Sequence, residues 1–324
     1  MKFRLRDLCL RAACHNPVNA LSILLRQKRR RNEEKMELLE VKNLSKNYKS
    51  FDLKDISFTL PKGYIMGYVG ANGSGKTTTL NLITGILKCT EGQVYIDGIS
   101  REEDIAAYRE KIGYVGDESY FPDNFKISHI RKTWKAFYPT FSEEKFDGFI
   151  RNWNLPLNKQ IKDFSRGMKV MLMFASVFAR ETKLLVLDEA TNGLDPMMRT
   201  EILRLLQEYV MDGEHSVIFS THILSDLEQI ADYIYFIHQG RTVLYDVKDE
   251  LIDSFLLVKG ESAKIPTALR QELIGLEEHA YGFEAVLPSD KAEMLGNAFL
   301  CEKPTIDQIV IHYIMSAGNQ ARAK

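Results

Sequence analysis

The chain is short of long apolar runs, of cysteine and of net charge, and each shortage excludes something. No apolar stretch approaches the roughly 18 to 20 residues that a membrane-spanning helix needs, so the chain reads as soluble or peripheral, and any membrane work needs a partner. Only four cysteines (Cys9, Cys14, Cys89 and Cys301) occur in 324 residues. They have neither metal-ligand nor redox-motif spacing, which points to free thiols in a reducing cytoplasm. The net charge of −1 gives no overall electrostatic bias toward nucleic acid. No internal repeat is evident. What remains is an ordinary globular composition, 45% hydrophobic and 27% charged, long enough for one large domain and a smaller appendage.

The charge is unevenly spread. Residues 1–35 carry ten Lys/Arg against three Asp/Glu, with a basic run at Arg29-Arg30-Arg31 and weak periodicity. A secretory signal would put its basic residues before the apolar cluster, and here they follow it. From Met36 onward, Glu37-Leu38-Leu39-Glu40-Val41 begins a clean strand pattern. The expectation is that Met36 is the natural start and that 1–35 are a translated leader. A basic arm touching lipid headgroups is the competing reading.

The most informative feature is Gly70-Ala71-Asn72-Gly73-Ser74-Gly75-Lys76-Thr77-Thr78, which fits G-x-x-x-x-G-K-[ST] at every required position. It follows an apolar strand-like stretch, Tyr64 to Val69, and precedes a helical one, Thr77 to Ile86. Glycines let backbone N–H groups turn onto phosphate oxygens, and the helix adds its positive end. Lys76 is placed to reach the β- and γ-phosphates of a nucleoside triphosphate, and the Thr77 hydroxyl to ligate Mg²⁺.

Around this loop the pattern alternates. Strand signals run from Leu38 to about Leu60, over Gly92 to Gly98 and over Ile112 to Val115, with a helix over Arg101 to Lys111. Between about residues 128 and 180 strand signals vanish and helical ones take over, at Ser142 to Trp153 and Met168 to Ala179. Alternation resumes with strands at Leu184 to Leu187 and Val217 to Ser220, helices at Met197 to Tyr209 and Ile223 to Ala231, and a hairpin over Gln239-Gly240. Such alternation predicts a parallel sheet covered on both faces, with ligands at the strand C-termini. Residues 256–324 read as a small α/β appendage ending in a helix from Thr305 to Met315.

Leu184-Leu185-Val186-Leu187-Asp188-Glu189 is a buried strand ending in two acids. Behind a phosphate loop, Asp188 is the expected Mg²⁺-side carboxylate and Glu189 the residue that orients or deprotonates the attacking water.

Taken in order, Tyr48, the phosphate loop, Phe164-Ser165-Arg166-Gly167-Met168-Lys169, Leu184 to Glu189, Gly193-Leu194-Asp195-Pro196 and Ser220-Thr221-His222 resemble the nucleotide-binding subunit of an ATP-binding cassette (ABC) transporter. The resemblance covers roughly Leu38 to Tyr245. It implies an α/β P-loop NTPase core (36–246) with a parallel sheet, an antiparallel β subdomain and an inserted helical subdomain, followed by the accessory region 247–324. It also implies that Tyr48 stacks on adenine and that Ser165 and Gly167 close over ATP held by a second cassette. Asp195 would link the two sites, and His222 would sense the γ-phosphate. The implied cofactors are ATP and Mg²⁺. The implied partners are a second ABC subunit, identical or a paralogue, and an integral-membrane permease docking near Phe121 to Tyr138 and Trp134, with no nucleic acid. The protein would sit in the cytoplasm, on the inner face of the membrane through that permease. Taken singly, three residues have plainer readings: Tyr48 as a core aromatic, His222 as a helix-cap residue and Ser165 as a simple N-cap.

Two positions depart from the family pattern. The usual Leu-Ser-Gly-Gly-Gln is here Phe164-Ser165-Arg166-Gly167-Met168, a form similar to that of ATPases paired with simple drug, peptide or lipid exporters. The usual glutamine after the strand Ile112 to Val115 is replaced by Gly116-Asp117-Glu118, which makes Asp117 the expected Mg²⁺-side substitute. A tandem ribosome-acting factor needs two cassettes and this chain has one. A chromosome-maintenance ATPase needs a long coiled coil that cannot fit between Lys76 and Ser165. A soluble or catalytically silent regulatory cassette is the remaining alternative, and the intact Lys76, Thr77, Asp188, Glu189 and His222 argue against it.

Overall fold

The structure, a computed structural model, describes residues 36–296 and 298–322. The leader and basic-arm readings, with Cys9 and Cys14, fall outside the described residues.

The chain opens with β1 (Glu37–Asn47) and β2 (Asp52–Pro61), paired antiparallel. These are two long strands rather than two or three short ones. Alternation buries Ile56, Phe58 and Leu60 on one face of β2, the period-2 signature of a half-covered sheet, and an irregularity at Asp55, with φ +53, breaks the period between Leu53 and Ile56. The phosphate-loop strand β3 (Ile65–Val69) leads to α1 (Lys76–Ile83). Next come β4 (Glu91–Ile96), β5 (Ile99–Ser100), α2 (Ile105–Glu110) and β6 (Ile112–Val115). The helix expected from Arg101 starts later because Asp104 caps it, accepting from Ala106 N at 3.1 Å and Ala107 N at 2.9 Å. Arg101 is instead buried and donates to the Leu82 carbonyl at 3.1 Å.

Three helices follow: α3 (Ile127–Phe137), α4 (Glu143–Asn152) and α5 (Arg166–Phe178). They interrupt the alternation where strand signals vanish. Arg180 ties this segment to the sheet. Its guanidinium lies 3.5 Å from the Tyr138 ring centroid and donates to the Ile112 carbonyl at 3.2 Å. The alternation resumes with β7 (Leu184–Asp188), α6 (Pro196–Tyr209), β8 (Ser216–Ser220), α7 (Leu224–Ile230), β9 (Tyr233–His238) and β10 (Arg241–Val247).

Among the described residues, a six-stranded sheet has the order β10-β9-β3-β8-β7-β6. It is parallel from β9 to β6, with β10 antiparallel at one edge. Every residue of β3, β7 and β8 is buried, as expected of parallel strands covered on both faces. One face packs on α5, α6 and α7, and the other on the antiparallel sheet β2-β1-β4-β5 with α1 and α2.

The C-terminal region contains α8 (Lys248–Asp253), β11 (Phe255–Gly260), α9 (Thr267–Glu272), β12 (Ile274–His279), β13 (Gly282–Pro288), β14 (Leu300–Glu302) and α10 (Ile306–Arg322). Its antiparallel sheet has the order β12-β13-β11-β14. This region shares a core with the main body. Tyr313 of α10 meets Phe236 of β9 and Phe255 of β11 edge-on, and Ile306 N donates to Glu228 Oε1 of α7 at 3.0 Å.

Candidate nucleotide site

Strand register builds the site. Ser220 of β8 pairs with Tyr68 of β3 on one side and with Asp188 of β7 on the other. The loop after β3, the acids ending β7 and His222 beyond β8 therefore emerge in one row at the C-terminal ends of three neighbouring strands. Spacing alone placed His222 and Glu189 at one sheet edge, and the register brings them into contact.

The phosphate loop has little steric freedom. A Cβ on Gly70 would lie 2.4 Å from the Ile237 carbonyl oxygen and from Ser74 Oγ. Gly75, the N-cap of α1, has φ +111, a conformation open to glycine. Lys76 is 6% exposed and starts the helix rather than preceding it. Its Nζ donates to the Gly70 carbonyl at 2.7 Å and the Ala71 carbonyl at 3.3 Å, and lies 3.7 Å from Glu189 Oε1. Asn72, Gly73, Thr77 and Thr78 line an open cleft of about 690 Å³ that Glu189 also borders.

Glu189 is the centre of the constellation. Its φ of +54 is unusual outside glycine, and its backbone N–H is held by the Ser220 carbonyl at 3.0 Å. Oε2 accepts from three donors: His222 Nδ1 at 2.9 Å, His222 N at 3.2 Å and Asn192 Nδ2 at 2.7 Å. His222 is therefore a partner of Glu189 and not a helix cap, since Ile223 is the residue at the start of α7. Asn192 is a contact that sequence reasoning missed, because Thr191-Asn192-Gly193 reads as a turn.

Asp188 is 5% exposed. Burial pushes its carboxyl above the usual aspartate value. A hydrogen bond from Thr77 and the Lys76 charge pull it down, while the Glu189 and Asp117 charges push it up. Burial, with Asp188 and Asp117 nearby, drives the Tyr114 hydroxyl up to about 12. Asp188 Oδ1 is buried with no hydrogen-bond partner. Asp117 lies in the loop after β6, half-exposed, and its Oδ1 accepts from Arg166.

The signature segment sits at the start of α5. Ser165 is the N-cap, with Oγ accepting from Met168 N at 3.2 Å, so the plain capping reading holds for it. Gly167 does not precede the helix as expected: it lies in the first turn. A Cβ there would stand 2.7 Å from Met198 Sδ of α6. Asp195 caps α6, accepting from Met198 N at 3.0 Å. Tyr48 is 42% exposed, which removes the core-aromatic reading, and Lys46 Nζ lies 5.7 Å from its ring centroid. The aromatic that lines the cleft is Phe51, three residues on across the β1–β2 turn. Its ring tip would lie 3.0 Å from a Cβ on Gly75.

Comparison with known proteins agrees with this geometry. The ABC transporter family model matches residues 53–192. The uncharacterised ABC transporter ATP-binding protein YhcH of Bacillus subtilis is 30% identical over 273 residues, covering 82% of this chain and 81% of YhcH. The chain belongs to the ATP-binding proteins of ABC transporters. The lantibiotic transport ATP-binding protein SrtF of Streptococcus pyogenes is 33% identical over 224 residues, 67% of this chain and 96% of SrtF. A solved structure of an ATP-binding subunit of an ABC transporter matches with TM-score 0.62 and 27% identity, over 67% of this chain and 92% of that one. This chain is accordingly an ATP-binding ATPase subunit of a transporter, with the α/β cassette fold expected from the motifs. The SrtF match leaves about a third of the chain uncovered. No helix among the described residues is long and apolar enough to cross a membrane.

Proposed function

We propose that this ATPase works as a dimer of cassettes, identical or paralogous, on the cytoplasmic face of the membrane, and powers a separate permease in the direction of export. The observation that carries the hydrolytic part is the set of contacts on Glu189, with His222 and Asn192 on one oxygen and Lys76 near the other. That arrangement aims a carboxylate across the cleft from the phosphate loop. One chain has one phosphate loop, and Ser165 and Gly167 are the residues that complete the site of the opposite chain, where the first turn of α5 supplies N–H groups to a phosphate. Tyr48, exposed three residues before the cleft-lining Phe51, is the adenine platform.

The residues fit Mg²⁺. Asp188 Oδ1 is buried and unpartnered beside Thr77, in a field made more negative by Glu189 and Asp117. Thr77 and Asp188 would hold the ion, with Asp117 offering the oxygen not engaged by Arg166. Bound there, Mg²⁺ would neutralise charge developing on the transferred phosphoryl group. Lys76 binds the β- and γ-phosphates, Glu189 takes the proton of the attacking water, and His222 holds Glu189 in place.

For export, the support is the Ser165-Arg166-Gly167-Met168 signature and the kinship with a lantibiotic transport protein. The permease would dock on α3, where the Trp134 ring stacks on Tyr120 at 6.2 Å and Phe137 is exposed.

Glu189→Gln tests the assignment. Turnover should fall by about 10² to 10⁴, the usual contribution of a general base, while Mg-ATP still binds. Unchanged steady-state hydrolysis removes Glu189 from this role.

A further inference from the structure

Asp117 and Arg166, one from each of the two segments where the chain departs from the family pattern, are 49 residues apart in sequence and are paired to each other in the structure. The Arg166 guanidinium, at the first position of α5, donates to Asp117 Oδ1 in the loop after β6. A second pair repeats the connection less tightly, with Lys169 Nζ 3.8 Å from Asp123 Oδ1. The same loop is also held by backbone bonds, Ile161 N to the Phe125 carbonyl at 2.8 Å and Lys162 N to the Asp123 carbonyl at 3.0 Å. Arg166 has a second neighbour. A Cβ on Gly193 would lie 3.6 Å from its Cδ and Nε, so its side chain runs across the loop that leads to Asp195 and α6. One arginine side chain thus links the first turn of α5, to which it belongs, with the loop after β6, and runs beside the loop before α6.

Charge explains why a cation belongs there. Asp117 faces the same cluster as Asp188 and Glu189, and its charge adds to the field on Asp188. Without Arg166, Asp117 would add an unpaired acid beside Asp188 and Glu189, which already share the Lys76 charge. A neutral residue at 117 would leave Arg166 without its carboxylate. Either change alone unbalances the junction, and reversing both restores the attraction.

We propose that Arg166 is a positioning residue for ATP hydrolysis. Its ion pair with Asp117 clasps the first turn of α5 to the loop after β6, and so fixes where Ser165 and Gly167 are presented. This rests on the reading that those two residues contact ATP held by a second cassette. The clasp acts on presentation to the partner, so its loss lowers turnover without weakening nucleotide binding at the chain's own phosphate loop. Both side chains are 48% exposed, and pairs that open contribute little to global stability, so single variants should fold.

The test uses the full chain as wild type, Asp117→Asn, Arg166→Gln and the charge-reversed double variant Asp117→Arg with Arg166→Asp. Amide hydrogen exchange is read without nucleotide, turnover is read against protein concentration, and ATP affinity is read in metal-free buffer. Each single variant should lose protection over residues 164–170 and about tenfold in turnover, the scale of a coupled contact pair. Metal-free ATP affinity should stay at the wild-type value. The reversed pair should recover protection over residues 164–170 but not turnover, because Asp117 also offers an oxygen to Mg²⁺. Additive losses of protection in the double variant, or single variants with wild-type exchange, overturn the clasp, and in the first case leave Asp117 with a metal-side role alone. If wild type itself shows no hydrolysis, the functional reading fails instead, and the exchange data still report on the pair.

Discussion

The nucleotide edge of the main sheet and the C-terminal sheet both bury polar side chains, and they treat them in opposite ways. At the ends of β3, β7 and β8, Ser74 Oγ, Asp188 Oδ1, Thr191 Oγ1, Asn192 Oδ1 and Ser220 Oγ are buried with no hydrogen-bond partner. In the C-terminal region the buried ionisable side chain is His312, 2% exposed. Its Nδ1 donates to the Gly275 carbonyl at 2.7 Å, and its Nε2 lies 3.5 Å from Glu284 Oε1. An unmade buried hydrogen bond costs about 1–3 kcal/mol, so five of them in one place are a large concession by a fold whose net stability is only about 5–15 kcal/mol. A concession of that size is tolerable where phosphate, metal and water supply the missing partners. The C-terminal region leaves one such atom, Ser262 Oγ, among the described residues and reads as a part built to hold together.

Substitutions can break this contrast from either side. The largest effect is expected at Lys76, whose ammonium sits inside the phosphate loop. Lys76→Ala should weaken ATP binding by about 2 kcal/mol, roughly thirtyfold, the value of a charge-assisted contact. Equilibrium titration with a fluorescent ATP analogue reads it. In the C-terminal sheet, His312→Leu leaves the Gly275 carbonyl unpaired and should cost about 1–3 kcal/mol of stability. Turnover per folded molecule should be unchanged. Chemical denaturation with activity measured alongside separates the two.

The smallest effect has the opposite sign. Burial holds the Asp188 carboxyl above the ordinary aspartate value in the folded chain, so its charged form is disfavoured by folding. That penalty is absent in acid and appears as pH rises from the ordinary aspartate value through the raised one. Asp188→Asn removes it. The nucleotide-free variant should therefore melt higher than wild type at neutral pH, with the gap closing in acid, although the variant is inactive. A lower melting temperature at neutral pH would show that Asp188 stabilises the empty fold.

Much of this edge was legible in the sequence because its chemistry is local. A glycine-rich loop between an apolar strand and a helix, and four apolar residues ending in two acids, specify their neighbours over a few residues. Ser165 read as an N-cap for the same reason. Contacts set by register were harder to see. Nothing near Tyr48 indicates that the β1–β2 turn brings Phe51 to the loop instead. Asn192 gives no sign that its amide reaches back to Glu189. The helix α3 was not singled out because its N-cap is Lys126, whose backbone N–H is held by His129 Nδ1 at 3.1 Å, without the Ser, Asp or Asn that marks most helix starts. Asp117 and Arg166 were each visible as departures, but their pairing depends on how the three inserted helices fold back onto the sheet.

The central claim is that the polar edge is half of a site completed by nucleotide and a second chain. Sedimentation velocity of the Glu189→Gln chain, with and without Mg-ATP, tests it most directly. The account predicts a shift from monomer to dimer on adding Mg-ATP, and no shift in a chain that also carries Lys76→Ala. A Glu189→Gln chain that binds Mg-ATP and remains monomeric at all concentrations would contradict it.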